Sequence, residues 1–235
     1  MKYRFLALCC AAALSCGFFT GCGSDKEEKT TESTASAEEE LSDGEEAEDE
    51  SEKDTQTSDK EVNLDVSQPL SGIHHAEMVI KDYGTIEMEL DADTAPITVT
   101  NFVKLVQEGF YDGLTFHRII EGFMMQGGDP LGSGIGGSEE KIKGEFTNNG
   151  VDNNISHERG TISMARSSDP NSASSQFFIM HQDGTYLDGD YAAFGHVTSG
   201  MDVVDKICEE AEPVNSNGLV DTSKQPVIES ISIID

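Results

Sequence analysis

The sequence predicts a mainly β fold, an antiparallel barrel or sandwich, behind an N-terminal export signal and an acidic linker. Three observations lead to this prediction. Many short apolar segments, separated by Gly-rich loops, fill the last ~170 residues, a length that supports one sizeable core. Only two segments have a helical pattern, which argues against alternating β-α units. The stretch 25–65 holds 18 acidic and 4 basic residues and almost no large apolar side chains.

The N-terminus has the pattern of a bacterial export signal. Lys2 and Arg4 form a positive head, and residues 5–19 carry no charge. This run is shorter than the ~20 residues that span a bilayer comfortably, so the pattern favours a signal peptide over a permanent anchor. Small residues precede Cys22, and the segment resembles a bacterial lipobox, in which the cysteine is lipidated. We predict a signal peptide over 1–21 and a lipid anchor on Cys22; an ordinary secretory signal is the alternative.

Residues 22–70 are predicted to form a disordered acidic tether, because highly charged Ser- and Thr-rich chain buries too little surface to fold. The tether would hold the following domain clear of the membrane. A solvated spacer without a specific partner is compatible with this role, and an acidic recruitment tail for basic clients is the alternative. The whole chain has a net charge of −30 and a pI near 4.2. Such a surface repels phosphate backbones, so we expect no nucleic-acid partner.

The predicted domain, residues 71–235, begins with a hairpin, since two alternating apolar stretches flank the turn at 82–84. Pro96 near the start and Gly109 past the end predict a helix between them, and a second helix is predicted over 201–210. Further strands are predicted at 116–120, 123–126, 161–165, 176–180, 193–197 and 227–234.

Several kinds of chemistry are absent from the domain's motifs. Cys208 is its one cysteine, so it has no intramolecular disulfide and no Cys/His metal spacing. There is no Gly-Lys-Ser/Thr phosphate loop, and the glycine runs at 127–128 and 132–137 are interpreted as turns and loops. We therefore expect neither a cofactor nor a metal ion.

One block stands out, Arg118 among aromatic and Met residues in the stretch 116–128, FHRIIEGFMMQGG. By themselves, Arg118 would be interpreted as a surface ion pair and Phe123 as a core residue. The block resembles the central signature of the cyclophilin-type peptidyl-prolyl cis-trans isomerases. Further segments match in the family's order at 96–102, 160–165, 175–179, 187–189 and 194–195. The resemblance covers nearly all of 76–235. It implies a closed eight-stranded antiparallel barrel capped by two α-helices, and isomerase activity.

The chemistry of this reaction agrees with that resemblance. Rotation about a peptide bond has a barrier of ~18–20 kcal/mol, because resonance gives the C–N bond double-bond character. Lowering it needs a donor aimed at the prolyl nitrogen and a pocket for the ring, without a nucleophile or a proton-transfer pair. A guanidinium stays protonated at working pH and is a suitable donor. We assign this role to Arg118.

The resemblance implies the remaining site residues. Gln126 joins Arg118 in the catalytic set as a hydrogen-bonding partner of the substrate backbone, and His117 joins it as a positioning residue. The implied substrate-binding residues are Phe123, Met124, Ala165, Arg166, Gln176, Phe178, Tyr186, Leu187 and Tyr191. Many family members have Trp at the position of Tyr186, His at that of Tyr191 and Asn at that of Arg166. These differences bear on inhibitor affinity and on sequence preference.

The leading hypothesis is a monomeric, membrane-tethered isomerase that accelerates the folding of exported proteins, with X-Pro segments as its substrates. A second hypothesis is a binding module that holds proline-containing segments with little turnover. A solute-binding lipoprotein is disfavoured, because one domain of about 170 residues offers no two-lobed cleft.

Overall fold

Alternation of apolar and polar residues builds the first hairpin of the structure, a computed structural model that describes residues 62–235. Strand β1 (Ile73–Ile80) pairs with β2 (Gly84–Asp91), and its alternate side chains are buried. Helix α1 (Pro96–Gln107) follows, and α2 (Met201–Glu210) lies near the C-terminus. The other strands are β3 (Phe116–Ile120), β4 (Met124–Gly127), β5 (Thr161–Met164), β6 (Phe177–Met180), β7 (Ala193–Ser199) and β8 (Ile228–Ile233).

The eight strands form one antiparallel sheet in the order β3-β4-β6-β5-β7-β2-β1-β8, which confirms the predicted mainly β class with two helices. The predicted full closure is slightly overstated, because the sheet is a curled half-barrel. Its edge strands β3 and β8 meet at their first residues, through the bridge between Thr115 and Val227 and through hydrogen bonds from Phe116 to the carbonyl of Pro226 (3.0 Å) and from Ile228 to that of Leu114 (2.8 Å). Further along β3, its backbone groups are hydrogen-bonded to the chain at 218–220. Ile119 donates to the carbonyl of Gly218 at 2.8 Å, and Val220 donates to that of His117 at 2.9 Å.

Aromatic side chains fix α1 to the inner face of the sheet. Phe102 of α1 lies 5.2 Å from Tyr111, 5.6 Å from Phe177 and 5.4 Å from Phe194, measured between ring centroids. All four rings are fully buried. Tilted and edge-on contacts at these distances are the favourable arrangement for aromatic rings. They place the domain's main core between α1 and the concave side of the sheet.

A buried carboxylate caps the start of α1. Glu145 accepts hydrogen bonds from the backbone N–H groups of Ile97 (3.0 Å) and Thr98 (2.8 Å), and from the Thr98 hydroxyl (2.7 Å). The first N–H groups of a helix have no partner within it, and negative charge is favourable at this end. The hydrogen bonds of Glu145 therefore connect the segment that follows the Gly-rich loops to the start of helix α1.

The domain begins earlier than the predicted boundary at 71. Val62 donates to the carbonyl of Ile233 at 2.9 Å, Leu70 donates to the Thr100 hydroxyl at 2.8 Å, and Leu64 packs against the core. The segment 62–70, expected to be disordered tether, belongs to the folded unit because its apolar side chains are covered there. The signal peptide, Cys22 and the rest of the tether lie outside the described residues. No helix within 62–235 is long and apolar enough to cross a membrane.

Candidate active site

A pocket of about 260 Å³, here called the central pocket, opens beside β3, β4 and β6. It is lined by Arg118, Phe123, Met124, Gln126, Ala165, Arg166, Phe178, Leu187 and Tyr191. All nine are among the residues that the sequence predicted for the site.

Strand pairing brings the polar and apolar parts of the pocket together. Arg118 of β3 is directly opposite Gln126 of β4, and Gln126 is directly opposite Phe178 of β6. Side chains directly opposite one another in an antiparallel sheet share a face and stand close together. The register therefore places a cation, an amide and an aromatic ring side by side on three adjacent strands, a rigid support for a site.

The guanidinium of Arg118 is held on several sides. Its Nε donates to the backbone carbonyl of Asn217 at 2.7 Å, and its Nη1 donates to Gln126 Oε1 at 3.2 Å. Nη1 also lies 3.5 Å from the Met124 sulfur, and the Phe123 ring centroid is 5.9 Å from Cζ. Burial lowers the pKa of Arg118, partly opposed by Tyr191 and Tyr186. The group stays charged at neutral pH, because an arginine starts from a pKa above 12.

A chain of hydrogen bonds continues away from Arg118. Gln126 Nε2 donates to Gln176 Oε1 at 2.9 Å, and Gln176 Nε2 donates to the carbonyls of Gly134 (3.2 Å) and Gly136 (2.8 Å). Since a carbonyl only accepts, these contacts fix the orientation of both amides. These hydrogen bonds connect the Gly-rich loop after β4 to the guanidinium of Arg118, and each bond in such a chain strengthens the next by polarising it.

The apolar side of the pocket is a small cluster distinct from the main core. Met124, Phe178 and Met180 are buried in it, and Phe123, Ala165, Leu187 and Tyr191 are among the side chains packed around them. Tyr191 meets Phe178 edge-on at 5.9 Å. A pocket with such walls fits a small apolar ring.

His157 supports this cluster and is absent from the residues predicted for the site. His157 is buried and stacks on Phe178, with 6.0 Å between centroids and 17° between planes. Its Nδ1 lies 2.8 Å from Asp188 Oδ1 and its Nε2 lies 2.9 Å from Ser163 Oγ. Because a carboxylate only accepts, Nδ1 carries the proton and Nε2 accepts from the serine. Burial lowers the pKa of His157 although Asp188 opposes this, so the ring is neutral at pH 7.

This Ser-His-Asp arrangement is structural. Ser163 is fully buried on β5 and has no access to a substrate. Asp188 also accepts from the backbone N–H of His157 (2.8 Å) and from the Ser156 hydroxyl (2.7 Å). The arrangement ties the turn after Leu187 to the floor beneath Phe178. No sequence spacing indicated it, since His157 and Asp188 lie 31 residues apart.

A second and larger cavity of about 640 Å³, here called the side groove, adjoins the central pocket. The two share Gln126, Ala165 and Arg166. The other residues that line the side groove are Gly134, Ile135, Gly136, Gly137, Ser138, Lys141, Ser167, Ser172, Ser174 and Gln176. Its outer wall is therefore the Gly-rich loop.

A buried carboxylate holds that loop. Asp129 accepts from the backbone N–H groups of Leu131 (2.8 Å), Ser133 (2.9 Å) and Gly134 (2.6 Å). Burial by itself raises the pKa of Asp129, but these hydrogen bonds and one from Gly136 outweigh it and lower the pKa. A Cβ on Gly136 would lie 2.0 Å from Asp129 Oδ1, so only glycine fits there.

Three predicted residues lie outside the central pocket. His117 is 1% exposed, faces the Gly-rich loop and has no hydrogen-bond partner among the described residues for either ring nitrogen. Burial lowers its pKa, which Asp129 opposes and Arg118 assists. Gln176 lines the side groove. Tyr186 is 71% exposed at the rim, where its ring stacks on Phe123 at 6.0 Å. Within 62–235, no three His, Cys, Asp or Glu side chains are grouped to hold a metal ion.

Comparisons with known proteins agree with this geometry. The family model for "Cyclophilin type peptidyl-prolyl cis-trans isomerase/CLD" matches residues 75–233. The chain is 48% identical to peptidyl-prolyl cis-trans isomerase B of Bacillus subtilis over 124 residues, 53% of this chain and 83% of that protein. It is 45% identical to peptidyl-prolyl cis-trans isomerase A of Dickeya dadantii over 161 residues, 64% of this chain and 80% of that protein.

Solved structures give the same assignment. A cyclophilin type peptidyl-prolyl cis-trans isomerase of Cryptosporidium parvum superposes with a TM-score of 0.61 and 29% identity, covering 69% of this chain and 98% of that one. The same protein was also solved in the presence of the dipeptide Ala-Pro, with a TM-score of 0.60 and 29% identity over 68% of this chain and 98% of that one. The matched family model spans both the strands and the pocket described above, and the chain belongs to the cyclophilin-type peptidyl-prolyl cis-trans isomerases.

Proposed function

We propose that this isomerase acts on X-Pro bonds of exported proteins while a lipid on Cys22 holds it at the outer side of the cytoplasmic membrane. The observation that carries the catalytic part is the placement of Arg118. A guanidinium fixed by Asn217 and Gln126 lies beside an apolar pocket of suitable size for a proline ring.

The proposed mechanism depends on a property of the amide nitrogen. In the planar amide, the nitrogen lone pair is delocalised into the carbonyl and is a poor hydrogen-bond acceptor. In the twisted amide, the lone pair is localised on the nitrogen and is a good acceptor. Neither contact that fixes the guanidinium uses Nη2. A hydrogen bond from Arg118 to the prolyl nitrogen therefore strengthens as the amide twists, which is selective stabilisation of the transition state.

The neighbouring groups hold the substrate in place. Phe123, Met124, Phe178 and Leu187 would enclose the proline ring, with Ala165 in the floor. Gln126 and Gln176, already oriented by their own hydrogen bonds, would bind the substrate backbone. The Ala-Pro dipeptide used with the Cryptosporidium parvum relative supports proline-containing segments as ligands.

The extracytoplasmic part of the proposal has its support in the sequence. Uncatalysed X-Pro isomerisation takes tens to hundreds of seconds and can limit folding. A catalyst next to the site of export would act before unfolded chains diffuse away. A flexible chain of ~40 residues has a root-mean-square span of about 30–40 Å. A tether of that length, the number of residues between Cys22 and the domain, would let a monomeric domain reach clients near the membrane.

Isomerisation of a proline peptide, followed with the full chain, tests the catalytic part. We expect a rate above the uncatalysed one that is proportional to protein concentration. No acceleration at any concentration would favour the alternative of a proline-binding module without turnover.

Membrane fractionation tests the anchor. Cys22→Ser should release an active protein from membranes, because loss of acyl chains removes the apolar surface that anchors it. Cys16→Ser, the same change within the same apolar stretch, is the matched control and should stay in the membrane fraction. Unchanged retention of Cys22→Ser would point to an uncleaved apolar anchor at residues 5–21 in place of the lipid.

A further inference from the structure

The two cavities have a charge opposite to that of the domain around them. Residues 66–235 contain 27 acidic and 9 basic side chains. Three of these nine cations, Arg118, Arg166 and Lys141, line the central pocket or the side groove, and no acidic side chain of the described residues lines either. Since acidic side chains outnumber basic ones three to one in these residues, a random selection of charged lining residues would be mainly acidic.

We propose that the side groove selects substrates that carry an acidic side chain close to the proline, with Arg166 and Lys141 as the residues that determine this preference. The inference rests on the proposed binding of proline segments in the central pocket. It adds the charge class of the neighbouring residue, which the family assignment leaves open.

Arg166 is fixed in position before any ligand binds. Its Nε donates to the backbone carbonyl of Asp190 at 2.8 Å, and its Nη1 donates to the carbonyl of Ser167 at 2.9 Å. Its Cζ lies 4.7 Å from the centre of the Tyr191 ring and 5.2 Å from that of Phe146. A planar guanidinium held in this way loses little freedom when it binds a carboxylate. It stands at the junction of the two cavities, because it lines both.

The carboxylates near Arg166 and Lys141 are paired with other groups, so both cations are free to bind an acidic side chain of a substrate. Arg166 donates to the backbone carbonyl of Asp190, while the Asp190 carboxylate accepts a hydrogen bond from Asn148 at 2.9 Å. Glu140, next to Lys141 in the chain, pairs with Lys104 at 3.0 Å. Among the described residues, neither Arg166 nor Lys141 has an acidic side chain within 4.0 Å.

The size of the groove suits a short extended peptide. A residue of extended chain spans about 3.3–3.6 Å, so a segment that places its proline in the central pocket would pass Arg166 within one or two residues. Salt screens charges that are more than about 8 Å apart at physiological ionic strength. The local cations would therefore outweigh the repulsion from the acidic remainder of the domain.

A peptide scan measures this preference directly. End-capped peptides with one X-Pro bond would carry a single Glu, Gln or Lys at each of three positions on either side of the proline. Binding by fluorescence anisotropy and isomerisation by NMR would both be recorded. At one or two positions we expect Glu peptides to bind most tightly, Gln peptides less tightly and Lys peptides least tightly. The affinities for Glu and Gln peptides should differ about three- to tenfold. The difference should shrink in 0.5 M salt.

Two variants connect the preference to the groove. In Lys141→Glu and in Arg166→Gln, the Glu-to-Gln affinity ratio should fall towards one or invert. Lys143→Glu makes the same charge change two residues further on, outside both cavities, and should keep the wild-type ratio. A ratio that changes equally in Lys143→Glu would show that net charge is responsible, and would overturn the proposal.

The remaining outcomes distinguish a failure of the proposed selectivity from a failure of the proposed isomerase function. Equal affinity for Glu, Gln and Lys peptides, or a preference for Lys, would overturn the selectivity while isomerisation of the uncharged peptide stands. If no peptide were isomerised, the catalytic proposal would fail, and the anisotropy ratios would still decide whether the groove selects acidic segments.

Discussion

The central pocket and the side groove adjoin each other but have different foundations. In the central pocket, Arg118, Gln126 and Phe178 stand on three paired strands, and His157 supports the floor. The wall of the side groove is a loop of glycines and serines whose shape depends on the buried carboxylate of Asp129. The group proposed to act on the transition state, Arg118, is on a paired strand, whereas the proposed selectivity residues Arg166 and Lys141 lie in two loops, which can vary at little cost to the sheet.

The two regions are connected at Gln176. Its amide donates to the carbonyls of Gly134 and Gly136 in the loop and accepts from Gln126 in the pocket. A disturbed loop is therefore expected to alter substrate affinity first and turnover second. The following predictions test this separation, in order of decreasing effect.

Asp129→Asn should cause the largest loss of stability. An amide has one acceptor oxygen where the carboxylate has two, so several loop N–H groups lose a charged partner; we expect the free energy of unfolding to fall by about 2–3 kcal/mol. Asp169→Asn is the matched control. Asp169 is exposed and its side chain accepts one hydrogen bond, from the backbone of Asn171, so the change should stay within about 0.5 kcal/mol. Urea unfolding compares the two variants, and equal losses would contradict the role of Asp129.

Tyr186→Trp sharpens the comparison at the rim of the central pocket. Resemblance to the family implies that Trp at this position favours tight cyclosporin binding. Tyr has a smaller face and carries its polar group at the tip of the ring, so the wild type should bind about 1–3 kcal/mol more weakly, roughly ten- to a hundredfold. Isomerase activity should persist in both proteins, since Tyr186 lies outside the pocket lining. Inhibition titrations that give equal affinity would show this interpretation of Tyr186 to be wrong.

Stability and turnover should depend differently on pH. Burial lowers the pKa of His117 and of His157, so below the unfolded value near 6.5 the unfolded chain binds more protons than the folded one. Stability should therefore rise with pH up to about 6.5 and then level off, with a slope of at most about 1.4 kcal/mol per pH unit per histidine. His117→Leu, which leaves no partner unpaired, should reduce the slope measured by urea unfolding between pH 5 and 7.

Turnover should vary little between pH 6 and 8, because the proposed mechanism transfers no proton and Arg118 stays charged. A bell-shaped profile of kcat/KM with steep limbs in this range would indicate general acid–base catalysis. It would then be necessary to reconsider a proton-transfer role for a titrating side chain.

Local pattern predicted the elements well where one face of an element is buried. The bounds of β3 and α2 agree with the prediction, because alternation and helical periodicity record burial directly. Strand β4 begins at Met124, one residue later than predicted, because Phe123 belongs to the turn and donates to the carbonyl of Ile120 at 3.0 Å. The family motif placed most residues of the central pocket, since they stand on strands whose register that motif fixes.

Long-range polar partners escaped prediction for a physical reason. Glu145 caps a helix that begins 49 positions earlier in the chain, and Asn217 holds Arg118 from 99 positions away. Such contacts depend on which loops lie close together after folding. The type of a polar side chain shows only that it needs a hydrogen-bond partner when buried, and not which residue that partner is. The same applies to Asp129, whose Gly-rich neighbours indicated a loop while the carboxylate inside it left no sequence signal.

The central claim is that Arg118 acts on the twisted amide and not mainly on substrate affinity. NMR exchange spectroscopy on one X-Pro peptide gives the dissociation constant and the catalysed rate together, for the wild type, Arg118→Ala and Arg118→Lys. Arg159→Ala, which removes an arginine paired with Asp205 outside both cavities, is the matched control. We predict a catalysed rate about 10²–10³-fold lower in Arg118→Ala, with little recovery in Arg118→Lys and less than tenfold change in affinity. Near-wild-type exchange in Arg118→Ala, with an intact fold by circular dichroism, would contradict the account.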